Sequence, residues 1–182
     1  MNEVYPIRDK RDINRMKKAL HGRDLLLFTI GINTGLRISD LLTLKVGDVR
    51  NRDFIDIREK KTSKPKRLHF NNAVKQSVRE LVPENAADDD WLFPSRKGNR
   101  PITRVQVHRI LNDAAKRSGV IDRVGAIGAH SLRKTFGYFA YKNGTPIETL
   151  MHLFNHSSQS VTLRYIGITA EEVADVYLEM SL

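Results

Sequence analysis

Along most of this chain the apolar residues return every three or four positions, and in one short stretch they return every second position. These are the periods of an amphipathic helix and of a half-buried strand. Residues 12–20 predict a first helix, with Asp9 as its N-cap and Gly22 closing it. A strongly apolar helix follows over 24–33 until Thr34-Gly35 breaks it, and a short helix over 38–44 starts directly after that turn. Further helices are predicted at 72–81, ended by Pro83, and up to residue 117, capped by Thr103 and stopped by Gly119. Others follow at 131–142, 146–154 and 158–165, and residues 170–179 space Val173, Val176 and Tyr177 helically, with Met180 just beyond.

The middle changes character. Phe54-Ile55-Asp56-Ile57 alternates apolar and acidic residues, and residues 67–70 offer a second strand. The basic stretch between them contains Lys64-Pro65, which favours a turn. The three pieces read together as a β-hairpin, or alternatively as a solvated loop. No repeat and no Pro/Gly/Ser linker divides the chain. The pattern therefore predicts one domain, mainly α with a small antiparallel β-sheet (α+β).

Composition narrows the function. With 182 residues the chain can bury roughly 70% of the surface it exposes when unfolded. Hydrophobic residues make up 40%, and no apolar run approaches the roughly 18 residues of a membrane span. No secretory leader is visible at residues 1–6, and an intracellular, cytoplasmic location is expected. The absence of cysteine excludes disulfides, thiolate zinc sites and cysteine nucleophiles. A formal net charge of +10 favours a polyanionic partner, because cations that neutralise phosphates also release condensed counterions. Charge alone leaves DNA, RNA, an anionic surface or simple solubility open.

Four places hold polar side chains that packing alone would not ask for. In TGLRISD (residues 34–40), Arg37 follows a glycine turn and opens a helix, where a guanidinium and free N–H groups can converge on an anion. In HSLR (130–133), His130 and Arg133 fall one helical turn apart, a pairing suited to proton transfer at a phosphate whose charge the arginine holds. In HLFNH (152–156), the two histidines sit at i, i+4. Zinc is rejected there, since cysteine, the glutamate of an HExxH motif and a third ligand are all missing. Tyr165 follows His156 by nine residues. Each feature alone is as well explained by a surface arginine, a helix-start histidine or a half-buried tyrosine.

In this order, the four places resemble the tyrosine recombinase, or phage integrase, family. That pattern has an arginine box like residues 34–40, a lysine in a hairpin turn, H-x-L-R, then G-H-S-S, and a tyrosine nine residues after its histidine. Here the matching pieces are Arg37, Lys61 with Thr62, His130 to Arg133, Asn155-His156-Ser157-Ser158 and Tyr165. The resemblance covers nearly the whole chain. It implies a DNA strand-exchange enzyme of the integrase type, acting on double-stranded DNA without metal, ATP or other cofactor. Tyr165 is then the nucleophile that forms a 3′-phosphotyrosyl bond, and Arg37 and Arg133 hold the phosphate oxygens. Lys61 protonates the leaving 5′ oxygen, with Lys60 and Lys64 as neighbours in the same turn. His130 and His156 assist proton movement, and Asp40 orients its neighbours.

Two departures qualify the match. Asn155 stands where the pattern has glycine, and asparagine is the next most tolerant residue of a left-handed backbone. The other is length. Such enzymes usually carry an N-terminal core-binding domain, so residues 1–182 are expected to form the catalytic domain without it and to bind DNA weakly. Lys60, Lys64, Arg104 and Arg109 are expected DNA contacts, the last two on a helix that can equally present an ordinary polar face. The C-terminal helix packs on its own domain or docks on a neighbouring protomer in a homo-oligomer on DNA. Two other functions remain: a type IB topoisomerase, or a non-catalytic DNA-binding relic competing with a full-length recombinase.

Overall fold

The computed structural model describes residues 4–61 and 63–169. The stripe of Val173, Val176, Tyr177 and Met180, and Thr62 in the hairpin, lie outside the described residues. Two helices open the fold, α1 (Lys10–Ala19) and α2 (Gly22–Thr34). Asp9 caps α1 by accepting from the Arg11 N–H, as the sequence leads one to expect. Gly22 does not close that helix; it starts α2 at φ 48°. Leu20, buried in the core, ends α1 in an extended conformation, so burial sets the boundary.

Helix α2 is the axis of the molecule. Leu26, Leu27, Phe28 and Ile30 are all buried, and α4 (Asn72–Leu81) and α7 (Ala129–Lys142) pack on it. Leu132 of α7 sits against Gly31 so closely that a Cβ there would come within 2.6 Å of it. Gly35 ends α2 in the left-handed region at φ 60°, a geometry glycine adopts without strain. Short α3 (Ile38–Leu41) follows, three residues shorter than the sequence predicts. A 3-10 turn at Val46–Asp48 takes over, held by Val46 N–H to the Asp90 carbonyl and Gly47 N–H to that of Asp88.

The hairpin forms. Strands β1 (Phe54–Arg58) and β2 (Pro65–His69) pair antiparallel, with Ile55 opposite Leu68 and Ile57 opposite Lys66. The remaining elements are α5 (Arg104–Arg117) with its Thr103 cap, the short α6 (Ile121–Val124), α8 (Ile147–Phe154) and α9 (Gln159–Ile166). A main core surrounds α2, and a second cluster of Leu150, Phe154 and Ile166 joins α7, α8 and α9. Gly137 lets these last helices close up: a Cβ there would meet Ile166 at 2.6 Å and Phe154 at 2.7 Å. The architecture is mainly helical with one two-stranded antiparallel sheet. Among the described residues no helix is long and apolar enough to cross a membrane.

Candidate active site

The C-terminus of α8 is the point on which the other elements converge. The last carbonyls of a helix lack intrahelical donors and carry its partial negative charge. Here the Phe154 carbonyl accepts from both Arg37 Nη2 and Arg133 Nη2, each at 3.4 Å. Arg37 stands just before α3, and Arg133 on the first turns of α7 is buried and donates also to the Gly35 carbonyl. Its guanidinium lies 4.5 Å from the Phe154 ring centroid. The glycine turn between α2 and α3 thus serves both arginines.

Asn155 then turns the chain at φ 56°, ψ 53°, which places His156 beside α9. The His156 and Tyr165 rings meet edge to face at 5.0 Å between centroids, and His156 Nδ1 lies 3.1 Å from Thr162 Oγ1. Tyr165 is half-buried, and desolvation raises its pKa above the usual 10.0. Arg133, by its charge and a hydrogen bond to the hydroxyl, pulls the other way, as does Arg37. His156 has its pKa lowered from 6.5 by desolvation, then by Arg133 and Arg37. Both effects favour a neutral pair, phenol and imidazole, at neutral pH.

His130 begins α7 on the solvent side. Although exposed by area, its ring is surrounded closely enough for desolvation to be the leading cause of its lowered pKa, followed by Lys134, Arg133, Arg104 and Lys61. Lys61 and Arg104, both exposed, thus act on the same histidine through their charge. Arg109 is elsewhere, lining a cleft with Ser95, Arg96 and Lys97. Lys64 donates to Asn155 Oδ1 at 2.7 Å, and the Lys60 backbone N–H donates to buried Asp40 Oδ1 at 3.0 Å. Asp40 therefore holds the hairpin turn, a more specific form of the orienting role expected of it. His152 is exposed and lines a cleft with Lys64 and Lys66.

Two residues here escaped the sequence reading. Glu59 is buried and bridges Arg37 Nη1 at 2.5 Å. Lys66 points inward from β2, and its ammonium is buried with no hydrogen-bond partner among the described residues. Burial, then Arg133, lowers the Lys66 pKa, while Glu59 raises it and Arg37 and Asp40 act more weakly in opposite senses. The signal was present in the alternation: Ile55, Ile57 and Glu59 share one strand parity, and Lys66, Leu68 and Phe70 share the facing one. Starting the second strand at residue 67 hid it.

Sequence comparison bears directly on this arrangement. Residues 8–172 match the phage integrase family. The chain belongs to that family. It is 40% identical over 180 residues to the probable integrase/recombinase YoeC of Bacillus subtilis (strain 168), spanning 97% of each. It is 32% identical over 162 residues to tyrosine recombinase XerC of Staphylococcus epidermidis, covering 86% of this chain and 53% of the relative. The chain thus spans about half the length of that recombinase and nearly all of YoeC. Among solved structures, XerA recombinase superposes with a TM-score of 0.76 at 21% identity, over 97% of this chain and 63% of the other. The catalytic domain of bacteriophage HP1 integrase gives 0.60 at 21%, over 97% and 95%. These likenesses show the tyrosine recombinase catalytic-domain fold.

Proposed function

We propose that this family member cleaves and rejoins double-stranded DNA through a 3′-phosphotyrosyl intermediate, as a site-specific recombinase or integrase. The observation that carries the reading is the meeting of Tyr165, His156 and Arg133 at the end of α8, with Arg37 on the same carbonyl. Arg37 and Arg133 have N–H donors to spare for the non-bridging oxygens of a phosphate, and their placement before the reaction is what makes such stabilisation effective. The Tyr165 hydroxyl attacks phosphorus as the bond to the 5′ oxygen breaks. Its proton passes to a neutral imidazole, His156 being the one in contact, with His130 at the cleft edge assisting. The ammonium of Lys61 protonates the departing oxygen, leaving a 5′-hydroxyl. Attack by the 5′-hydroxyl of another strand reverses each transfer and restores tyrosine, so bond energy is conserved without metal or nucleotide.

DNA as the partner is supported by the charge of +10. Two fold neighbours carry it too: XerH bound to difH substrate, and the Tn1549 transposon integrase with circular intermediate DNA. Lys60, Lys61, Lys64 and Arg104 are exposed around the cluster and suit backbone contacts, with Arg109 on a second basic cleft. Supercoiled plasmids bearing a library of inserted sites test the reading. Recombinant junctions are expected. Relaxed circles alone would indicate a nicking-closing enzyme, and binding without either product would favour the non-catalytic reading.

A further inference from the structure

Where relatives matching the family pattern would have glycine, Asn155 carries a side chain, and that side chain is engaged. Its Oδ1 accepts the Lys64 ammonium at 2.7 Å. On the opposite flank of the same turn, the Lys60 N–H is held by Asp40 at 3.0 Å. Within the turn, the Ser63 N–H donates to the Glu59 carbonyl at 2.8 Å, and Glu59 itself is tied to Arg37. Lys61 lies between the two anchors and is exposed. Beneath the turn, between β2 and α8, is a cleft of about 400 Å³ lined by Glu59, Lys64, Lys66, His152 and Asn155. The tip is thus not seated on a packed core at this point, and polar tethers fix its position.

We infer that Asn155 is a positioning residue: its side chain latches the hairpin turn to the end of α8 and so sets where Lys61 stands relative to the scissile phosphate. A glycine at this position removes the tie to α8 that the Asn155 side chain makes, while the ties to Asp40 and, through Glu59, to Arg37 stay in place. Asparagine at φ 56° adopts a conformation glycine occupies more readily. Retaining the side chain there is therefore explained by what it holds. The inference rests on the reading of Lys61 as the group that protonates the leaving 5′ oxygen.

Asn155→Gly is the discriminating variant, because it removes the latch while easing the backbone, and the fold is expected to survive. Two readouts are needed. In the DNA-free protein, amide hydrogen exchange across residues 59–64 should quicken roughly fivefold, the order expected for losing one charge-assisted hydrogen bond. Lys64→Met should do the same, and the double variant should add little beyond either. In single-turnover cleavage of nicked duplexes, Asn155→Gly should slow the ordinary phosphodiester by a similar factor. It should leave unchanged a substrate whose bridging 5′ oxygen is sulfur, since a thiolate departs without a proton. Unchanged exchange, or equal slowing of both substrates, overturns the latch. Lys61→Ala separates the two levels. If sulfur rescues Lys61→Ala but Asn155→Gly has no effect on the ordinary substrate, the latch alone falls. If sulfur fails to rescue Lys61→Ala, the Lys61 assignment falls and takes this inference with it.

Discussion

Lys66 stands on the inner face of β2 with its ammonium out of reach of water, facing Arg37 and Arg133 as well as Glu59 and Asp40. Desolvating a cation without giving it a hydrogen bond is costly, while a cation beneath a phosphate site strengthens anion binding. Lys66→Met is accordingly expected to leave stability to urea unchanged or raised by about 1 kcal/mol, and to weaken DNA binding at moderate salt. A variant that loses stability and binds DNA as before contradicts this. Glu59→Gln acts in the other direction, leaving Arg37 among cations without its carboxylate. A loss of about 3 kcal/mol in the same unfolding experiment is expected. The histidines give a further check. With His130 and His156 both held below 6.5, the unfolded chain binds more protons than the folded one as pH falls through 6.5. Their contribution to stability is therefore complete above 6.5 and is lost on acidification toward the lower folded values. NMR titration of the free protein should place both ring midpoints under 6.5; a midpoint above it would contradict the burial and the cationic surroundings that hold them down.

At the scale of elements, the site depends on how closely α7, α8 and α9 approach. Gly137→Ala would put a methyl group within 2.7 Å of Phe154 and Ile166, forcing α9 outward and Tyr165 with it. A stability loss of about 2 kcal/mol is expected from such overpacking, together with a larger proportional loss of cleavage rate. Cleavage falling only as far as the unfolded fraction grows would show that α9 does not have to move. The helices were legible in the sequence because their caps are local: Asp9, Thr103 and Ser158 each bond to a nearby backbone N–H of the helix they start. The hairpin was ambiguous because its stability is not local. Its turn lacks a tight two-residue signature, and it is held from outside by Arg37 and Asp40 at α3 and by Asn155 at the end of α8. Arg37, Arg133, His156 and Tyr165 stand out in the sequence only through the resemblance to the tyrosine recombinase pattern, each being ordinary by itself. Glu59 and Lys66 share the inward parity of their strands, but local alternation does not show that Arg37, Arg133 and Asp40 come from distant positions to surround them.

For the molecule as a whole, the net charge of +10 is matched by basic side chains around the cluster and along the Arg109 cleft. Each phosphate neutralised contributes a slope of about −0.9 to the logarithmic dependence of affinity on salt. A slope steeper than about −4 is expected for this protein on duplex DNA, and one flatter than about −1 would argue against a phosphate-tracking surface. Affinity leaves the central claim untouched, however, since a relic would bind the same way. That claim is that Tyr165 becomes covalently joined to DNA. A pooled nicked-duplex substrate, with the native protein and Tyr165→Phe run side by side on a denaturing gel, tests it most directly. A protein–DNA adduct is expected in the native lane, carried by the peptide containing Tyr165 and missing from the variant. An adduct that persists in Tyr165→Phe, or none in the native protein on DNA that it binds, would contradict it.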